Sequence, residues 1–429
     1  MERSLVGDLK SLPDGNSVVV KGWAQEIRSL KNLVFVVLRD STGMVQATFK
    51  RDNFPDMDML SNLSRESVIN VEGKLNLKSK SKTGVEIEAT GFTVLNVSES
   101  PLPLGIIDPV EADFETRLNN RFLDLRKPAK ASIFRIKSSL IWGIREYLHR
   151  QNFVEVQTPK IVAAATEGGS DLFPVKYFEK EAYLNQSPQL YKEILISSGI
   201  DRVFEVGPAF RAEEHNTVRH LNEFTSVDIE MAFSDHNGAM TMLENSVKNG
   251  IESVLKASSK DLETLGLKIE IPKVPFPRIS YEECRNIASA NGVEIPFGED
   301  LSVEALKFIG EKFHDFYFIV DWPSSLRPFY TMPNEKDPRY TNSYDLQYRE
   351  KEITSGAQRV HNPDILKKRF IEKGLKAENF EFYIKAFKYG MPPHAGWGLG
   401  LERLLMILLD LPNIREGTLF PRDRTRIVP

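Results

Sequence analysis

AFRAEEHNTVRHLNEFTSVDIEMAF, residues 209–233, holds two runs of alternating side chains joined by a connection dense in charge. Successive Cβ atoms of a strand point to opposite faces. Val227, Ile229, Met231 and Phe233 therefore share one face, and Phe224, Ser226, Asp228 and Glu230 the other. Two such strands predict a hairpin within a half-buried sheet. The connection between FEVGPAFR (204–211) and FTSVDIEMAF (224–233) is long for a hairpin loop, and loops of that length commonly carry function. It brings Arg211, Glu213, Glu214, His215, Arg219 and His220 into one place. Phe224 is an aromatic on the polar face. Beside cations and carboxylates it suits a stacking platform for a base, with Arg211 placed for a phosphate. A salt-bridged hairpin with a stray aromatic is the competing reading of this stretch alone.

The rest of the chain places that hairpin. Further strands are expected near residues 183–186, 316–321 and 343–355, and they are not regularly separated by helices. IFRIKSSLIWGIREYLHRQ (133–151), DILKKRFIEKG (364–374) and LERLLMILLDL (401–411) have helical spacing, the first running into a strand at NFVEVQTPKIV. An antiparallel sheet flanked by helices, an α+β domain, fits this order better than a doubly wound fold. The first hundred residues differ in texture. Strands at 17–27, 33–40, 43–50, 67–78 and 84–97, with a helix only around 55–64, predict a small closed barrel, of which the OB-fold is the common five-stranded form. SESPLPLGIIDP (98–109), with three prolines, interrupts the pattern. The expected organisation is a barrel over 1–104, a linker over 105–130 and the α+β domain over 131–429.

Two further stretches strengthen the nucleotide reading. In SYDLQYREKEITSGAQR (343–359) a two-residue turn at Arg349–Glu350 sets Gln347 opposite Glu352 and Asp345 opposite Thr354. Asp345 and Glu352 then become diagonal neighbours, within roughly 7–8 Å. Two carboxylates so placed can hold Mg²⁺ against phosphate oxygens. In HAGWGLGLERLLMILLDL (394–411) alternate glycines lead into a helix; glycine permits close approach of a ligand, and a helix N-terminus favours anions. Arg403, one turn in, is placed for a terminal phosphate.

Composition excludes several classes. Of the 429 residues 41% are hydrophobic and 27% charged, as in packed domains. No stretch approaches the ~20 apolar residues of a membrane helix, the start has no apolar signal region, and the cytoplasm is the expected compartment. Cys284 is the single cysteine, so neither an internal disulfide nor cysteine-rich zinc spacing is available. A net charge of −4 argues against holding nucleic acid by bulk electrostatics. The first hundred residues, with 13 Lys+Arg and 13 Asp+Glu, are also neutral, although Lys74, Lys78, Lys80 and Lys82 form a basic run.

On FRAEEHNTVRHLNEF, GLGLERL and the helix–strand ending at Pro159, the chain resembles the class II aminoacyl-tRNA synthetases, over nearly its whole length. TEGGSDLF (166–173) and QSPQLYKE (186–193) narrow the resemblance to the aspartyl branch, in its short archaeal and eukaryotic form. The resemblance implies that Arg211 binds the ATP α-phosphate and the substrate carboxylate, Glu213 the adenine amino group and Phe224 the adenine face. Arg403 would bind the γ-phosphate, and Arg219, His220, Leu221, Glu352, Gly400, Leu401 and Glu402 complete the ATP site. Asp345, Glu352 and Ser355 would hold Mg²⁺. Glu167 would take the substrate ammonium, and Gln189, Lys192 and Arg359 would surround its side chain. Two cations there imply an anionic side chain, L-aspartate. The barrel would read the anticodon of tRNA-Asp through Arg28, Phe35 and Gln46, although Phe35 sits in a strand apolar enough for a core role. A homodimer is implied by the first motif.

The expected chemistry has two steps, aspartyl-adenylate formation from aspartate and ATP, then transfer to the 3′-end of tRNA. Whether tRNA-Asn is also charged stays open at this point. The rivals are an asparaginyl enzyme, an ammonia-dependent asparagine synthetase of the same fold, and a non-catalytic RNA-binding regulator. Lys192, the intact barrel and the full set Arg211, Glu213, Asp345, Glu352 and Arg403 argue against them in turn.

Overall fold

A computed structural model describes residues 2–54, 57–107, 112–163, 172–214 and 217–429. The chain divides into two compact units, Met1–Gly105 and Ile106–Pro429.

In the first unit β1 (Ser17–Ser29), β2 (Leu33–Arg39), β3 (Met44–Lys50), β4 (Val68–Asn76) and β5 (Glu86–Asn96) close into a barrel in the order β1-β2-β3-β5-β4. The cause is the two-residue period: Val34, Val36 and Leu38 of β2 and Val45, Ala47 and Phe49 of β3 fill the interior, and their neighbours face outward. Met57–Ser61 is helical.

The second unit is built on an eight-stranded sheet. Its strands are β6 (Val154–Glu155), β10 (Arg202–Phe210), β11 (Glu223–Ala232), β12 (Arg278–Ser280), β13 (Phe316–Val320), β14 (Ser343–Tyr348), β15 (Lys351–Gln358) and β16 (His394–Gly400). They run β12-β13-β14-β15-β16-β11-β10-β6, antiparallel except for the edge pairs β12–β13 and β6–β10. A small separate sheet of β7 (Ile161–Val162), β8 (Pro174–Tyr177) and β9 (Lys180–Leu184) has the order β7-β9-β8. Helices Pro128–Arg150 and His236–Ala257 pack together and onto the face that carries Val227, Ile229 and Met231. This leaves the opposite, polar face of β11 for chemistry.

Three expectations change. The span 105–130 is not simply a linker: it contains helices Phe114–Asn119 and Arg121–Asp124 and the start of the long helix, with Pro128 in its first turn. Three of its charges are buried because they are neutralised, Arg117 and Arg121 on Asp124 at 3.1 and 2.7 Å, and Arg117 also on Glu416 at 2.8 Å. Phe233 does not continue the apolar face. β11 ends at Ala232, and Phe233 turns out at φ +53°, 76% exposed. In the second hairpin the turn and the Gln347–Glu352 pair stand as expected, but a bulge between Leu346 and Gln347 sets Asp345 opposite Ser355, not Thr354.

Candidate active site

The polar face of β11 floors a cleft of about 530 Å³. Strand register aligns Asp228, Gly398, Ser355 and Asp345 in one row across four strands, and Glu230, Gly396, Ala357 and Ser343 in the next. The glycines of β16 serve these rows. A Cβ at Gly396 would lie 2.3 Å from Glu230 Oε2, and one at Gly398 would lie 3.0 Å from Asp228 Oδ1. The space expected for a ligand at those two positions is taken by the carboxylates of the neighbouring strand.

At one end of the cleft the guanidinium of Arg211 lies 5.5 Å from the centre of the Phe224 ring. Glu213, Arg219, His220 and Leu221 line the same end, with Gly400, Glu402 and Arg403 from the start of helix Leu401–Leu408. Burial, then the charge of Arg403, holds the His220 imidazole below its usual range. Two residues of this set are placed differently from expectation. Leu401 points into the apolar core beneath the sheet, fully buried. Glu402 has its carboxylate committed to Lys137 Nζ at 2.7 Å and to the Thr225 amide at 2.9 Å. His215 lies outside the described residues.

Sequence reading missed what holds the Arg211–Asn222 loop. Arg415 Nη1 donates to the Thr217 carbonyl at 2.9 Å and Arg424 Nη1 to the Glu214 carbonyl at 2.8 Å. The amides of Ile414 and Asn222 bond the Val218 and Arg422 carbonyls, each at 2.9 Å. These partners are some 200 residues apart in sequence, with no local signal.

In the middle stand Asp345, Glu352 and Ser355. Ser355 Oγ donates to Asp345 Oδ1, and Arg327 Nη2 lies 2.6 Å from Asp345 Oδ2. Glu352 keeps 45% of its side chain open within the cleft, with Arg403 Nη1 at 3.9 Å. Desolvation there and the negative charge of Asp345 push its carboxyl above the ordinary range. Two carboxylates that repel one another, beside a hydroxyl, are a donor set that fits a hard divalent cation keeping some of its own water.

The other end carries Gln189, Arg359 and Asp228 on the cleft wall. Lys192 is buried beneath, with Nζ 2.9 Å from Asp228 Oδ1, 3.1 Å from the Trp397 carbonyl and 3.5 Å from Glu230 Oε2. Arg359 Nε meets Glu230 Oε1 at 3.1 Å. Both cations thus already have protein carboxylates as partners, Asp228 and Glu230, which sequence reading left without a role. Behind them Glu193 accepts from Gln189 Nε2 at 2.6 Å and Tyr383 OH at 2.7 Å, and sits 3.0 Å from His394 Nε2. Glu167 lies outside the described residues.

Residues 113–424 match the family described as tRNA synthetases class II (D, K and N). The chain belongs to this family. Residues 18–95 of this class II synthetase match the OB-fold nucleic acid binding domain. The chain is 62% identical to the aspartate–tRNA(Asp) ligase of Thermoplasma acidophilum and 51% identical to the aspartate–tRNA(Asp/Asn) ligase of Archaeoglobus fulgidus, in both cases over the full length of each. Among solved structures it is similar to the asparaginyl-tRNA synthetase of Pyrococcus horikoshii complexed with asparaginyl-adenylate, with TM-score 0.93, 33% identity and complete coverage of both chains. The backbone is therefore shared between enzymes named for different amino acids, and side chains must make the choice.

The synthetase's barrel has a pocket of about 360 Å³ lined by Phe35, Thr48, Lys50, Lys74 and Glu86 among others. Phe35 is half-buried and lies between the core residues Val34 and Val36, so its ring is on the outer face and not in the core. Arg28 pairs with Glu26 at 2.8 Å, and Gln46 lies on β3 opposite Val37.

Proposed function

We propose that this synthetase activates L-aspartate with ATP and Mg²⁺ and transfers it to the 3′-end of tRNA-Asp. The observation that carries the reading is charge balance at the Gln189 end of the cleft. Among the described residues there, Lys192 and Arg359 face Asp228 and Glu230, with the hydrogen-bonded Glu193–His394 pair behind. The two cations and two carboxylates cancel in the empty cleft, so a substrate whose ammonium takes up Asp228 leaves one cation for an anionic side chain, which aspartate has and asparagine lacks. Asp228, on the cleft wall, can take the substrate ammonium, which lets Lys192 turn its charge towards the β-carboxylate.

In the first step an oxygen of the aspartate α-carboxylate attacks the α-phosphorus, and pyrophosphate leaves. Phe224 and Glu213 hold the adenine, Arg211 bridges the α-phosphate and the attacking carboxylate, and Arg403 draws the leaving group into line. When bound by Asp345, Glu352 and Ser355, Mg²⁺ supplies neutralisation of phosphate charge. In the second step the terminal tRNA hydroxyl attacks the adenylate carbonyl and AMP leaves. No side chain is required as a general base. The outer barrel face, with Phe35 stacking on a base and Arg28 and Gln46 bonding base edges, reads the anticodon, which needs little net positive charge. The enzyme works in the cytoplasm as a homodimer. Trp142 on the long helix, Val154 and Ile161 remain exposed on the segment that resembles the family's interface, and no helix among the described residues can cross a membrane.

The test is pyrophosphate exchange into ATP with aspartate, asparagine or lysine, followed by charging of purified tRNA-Asp and tRNA-Asn. Exchange with aspartate and charging of tRNA-Asp are expected. Equal exchange with asparagine would overturn the assignment, and the tRNA-Asn arm decides the breadth of the acceptor.

A further inference from the structure

We propose that Arg327 is a phosphate-binding residue that stands in for the divalent cation when the cleft is empty. Asp345 has 3% of its side chain exposed and faces Glu352, so a lone buried carboxylate there needs a counter-charge. Arg327 provides it, with Nη2 2.6 Å from Asp345 Oδ2 and Nη1 3.4 Å from Ser355 Oγ, the partners expected for the cation. Its guanidinium lies 4.5 Å from the centre of the Trp322 ring, which is itself fixed by Nε1 donating to the Ile319 carbonyl at 3.2 Å. A flat aromatic face lets a guanidinium slide without losing its support. Arg403 stands in the same relation to Glu352, at 3.9 Å.

Each carboxylate of the pair is therefore matched by one arginine on the cleft wall. A divalent cation arriving with a triphosphate takes over Asp345 and Glu352, and the displaced guanidiniums find phosphate oxygens as the nearest anions. Arginine's planar fork suits those oxygens. The two arginines then attend the pyrophosphate as it leaves, and the carboxylates are never without a partner. The proposal rests on reading Asp345 and Glu352 as cation ligands.

The experiment measures Mn²⁺ binding to the full-length, ATP-free protein by electron paramagnetic resonance, beside the KM for ATP in pyrophosphate exchange. Asp345→Asn should abolish Mn²⁺ binding at this site. Arg327→Met removes the competing charge and should tighten Mn²⁺ roughly ten-fold, while the lost phosphate contact raises the KM for ATP by about ten- to a hundred-fold. Arg327→Lys should restore part of both. If Arg327→Met binds Mn²⁺ no more tightly than wild type, or leaves the KM for ATP unaltered, the proposal falls. If Asp345→Asn binds Mn²⁺ as wild type does, the cation-site reading falls instead. Should Arg327→Met fail to fold by circular dichroism, Arg327→Gln, which keeps a hydrogen-bond donor near Asp345, is judged by the same two measurements.

Discussion

Lys192 sits 2.9 Å from Asp228 and 3.5 Å from Glu230 with 3% of its side chain exposed. QSPQLYKE was enough to assign this residue to the amino-acid end of the cleft by resemblance, but not to reveal its two acidic partners, which lie on β11 while Lys192 belongs to helix Gln189–Ile196. Lys192→Met strips one cation from a cluster that holds two carboxylates. Breaking such a buried pair costs ~3–5 kcal/mol, so both the thermal midpoint and the specificity constant for aspartate should drop, the latter by about two to four orders of magnitude. ATP affinity measured alongside should be nearly unaffected; unchanged aspartate kinetics would show that Lys192 plays no part in substrate choice. The His394–Glu193 pair makes a second prediction. The Glu193 carboxylate raises the His394 pKa against its burial, and His394 in turn holds Glu193 below its usual range. A raised histidine stabilises the fold fully below its unfolded pKa of about 6.5 and loses that contribution as pH climbs through the folded value. A lowered Glu193 loses its contribution only as pH falls through its own depressed pKa. The excess urea stability of wild type over His394→Gln should therefore be largest at roughly pH 5–6 and shrink above neutrality. A pH-independent difference would mean that His394 does not titrate in the fold.

Among the elements, the loop between β10 and β11 shows best how local pattern and distant support divide the task. Its charge density and its flanking alternation are visible in sequence. Its shape is maintained by Arg415, Arg424 and the backbone of residues 414–422. Arg415 is further fixed by Asp423 at 2.7 Å, an acid that this pairing and the neighbouring amides hold below the ordinary carboxylate range despite its burial. Arg415→Met should loosen the loop, raising the KM for ATP about ten-fold through lost hydrogen bonds of the charged kind, with little change for aspartate. Faster amide hydrogen exchange confined to residues 211–222 would accompany it, and protection identical to wild type would refute the bracing role. The hairpin of β14 and β15 divides similarly. Its two-residue turn is legible, with Arg349 at φ +52°, whereas the bulge between Leu346 and Gln347 that moves Asp345 opposite Ser355 leaves no mark in the local alternation.

For the whole molecule, the division at Gly105–Ile106 carries a functional consequence. All the described ATP-site residues belong to the second unit, so a fragment beginning at Ile106 should still exchange pyrophosphate with aspartate while charging tRNA poorly. Full-rate aminoacylation by that fragment would rule out anticodon reading by the barrel. Sedimentation of the intact protein at micromolar concentration should give about twice the 48.8 kDa chain mass, and a fully active monomer would count against the dimer. The amino-acid sequence alone determined the OB-type barrel, the α+β class and the strands with a clear two-residue period, and through the resemblance the candidate ATP-site residues, because period, turn chemistry and motif spacing are local properties. The short β8 and β12 and the glycine-rich β16 carry no such period and were not legible as strands. Only the tertiary structure decided that residues 105–130 carry helices with buried charges, that the glycines of β16 make room for Asp228 and Glu230, that Leu401 belongs to the core, and that Arg327 sits on Asp345. Each of those depends on a partner from another strand or from a distant part of the chain, and a buried charge is read correctly only once the opposite charge that balances it is known.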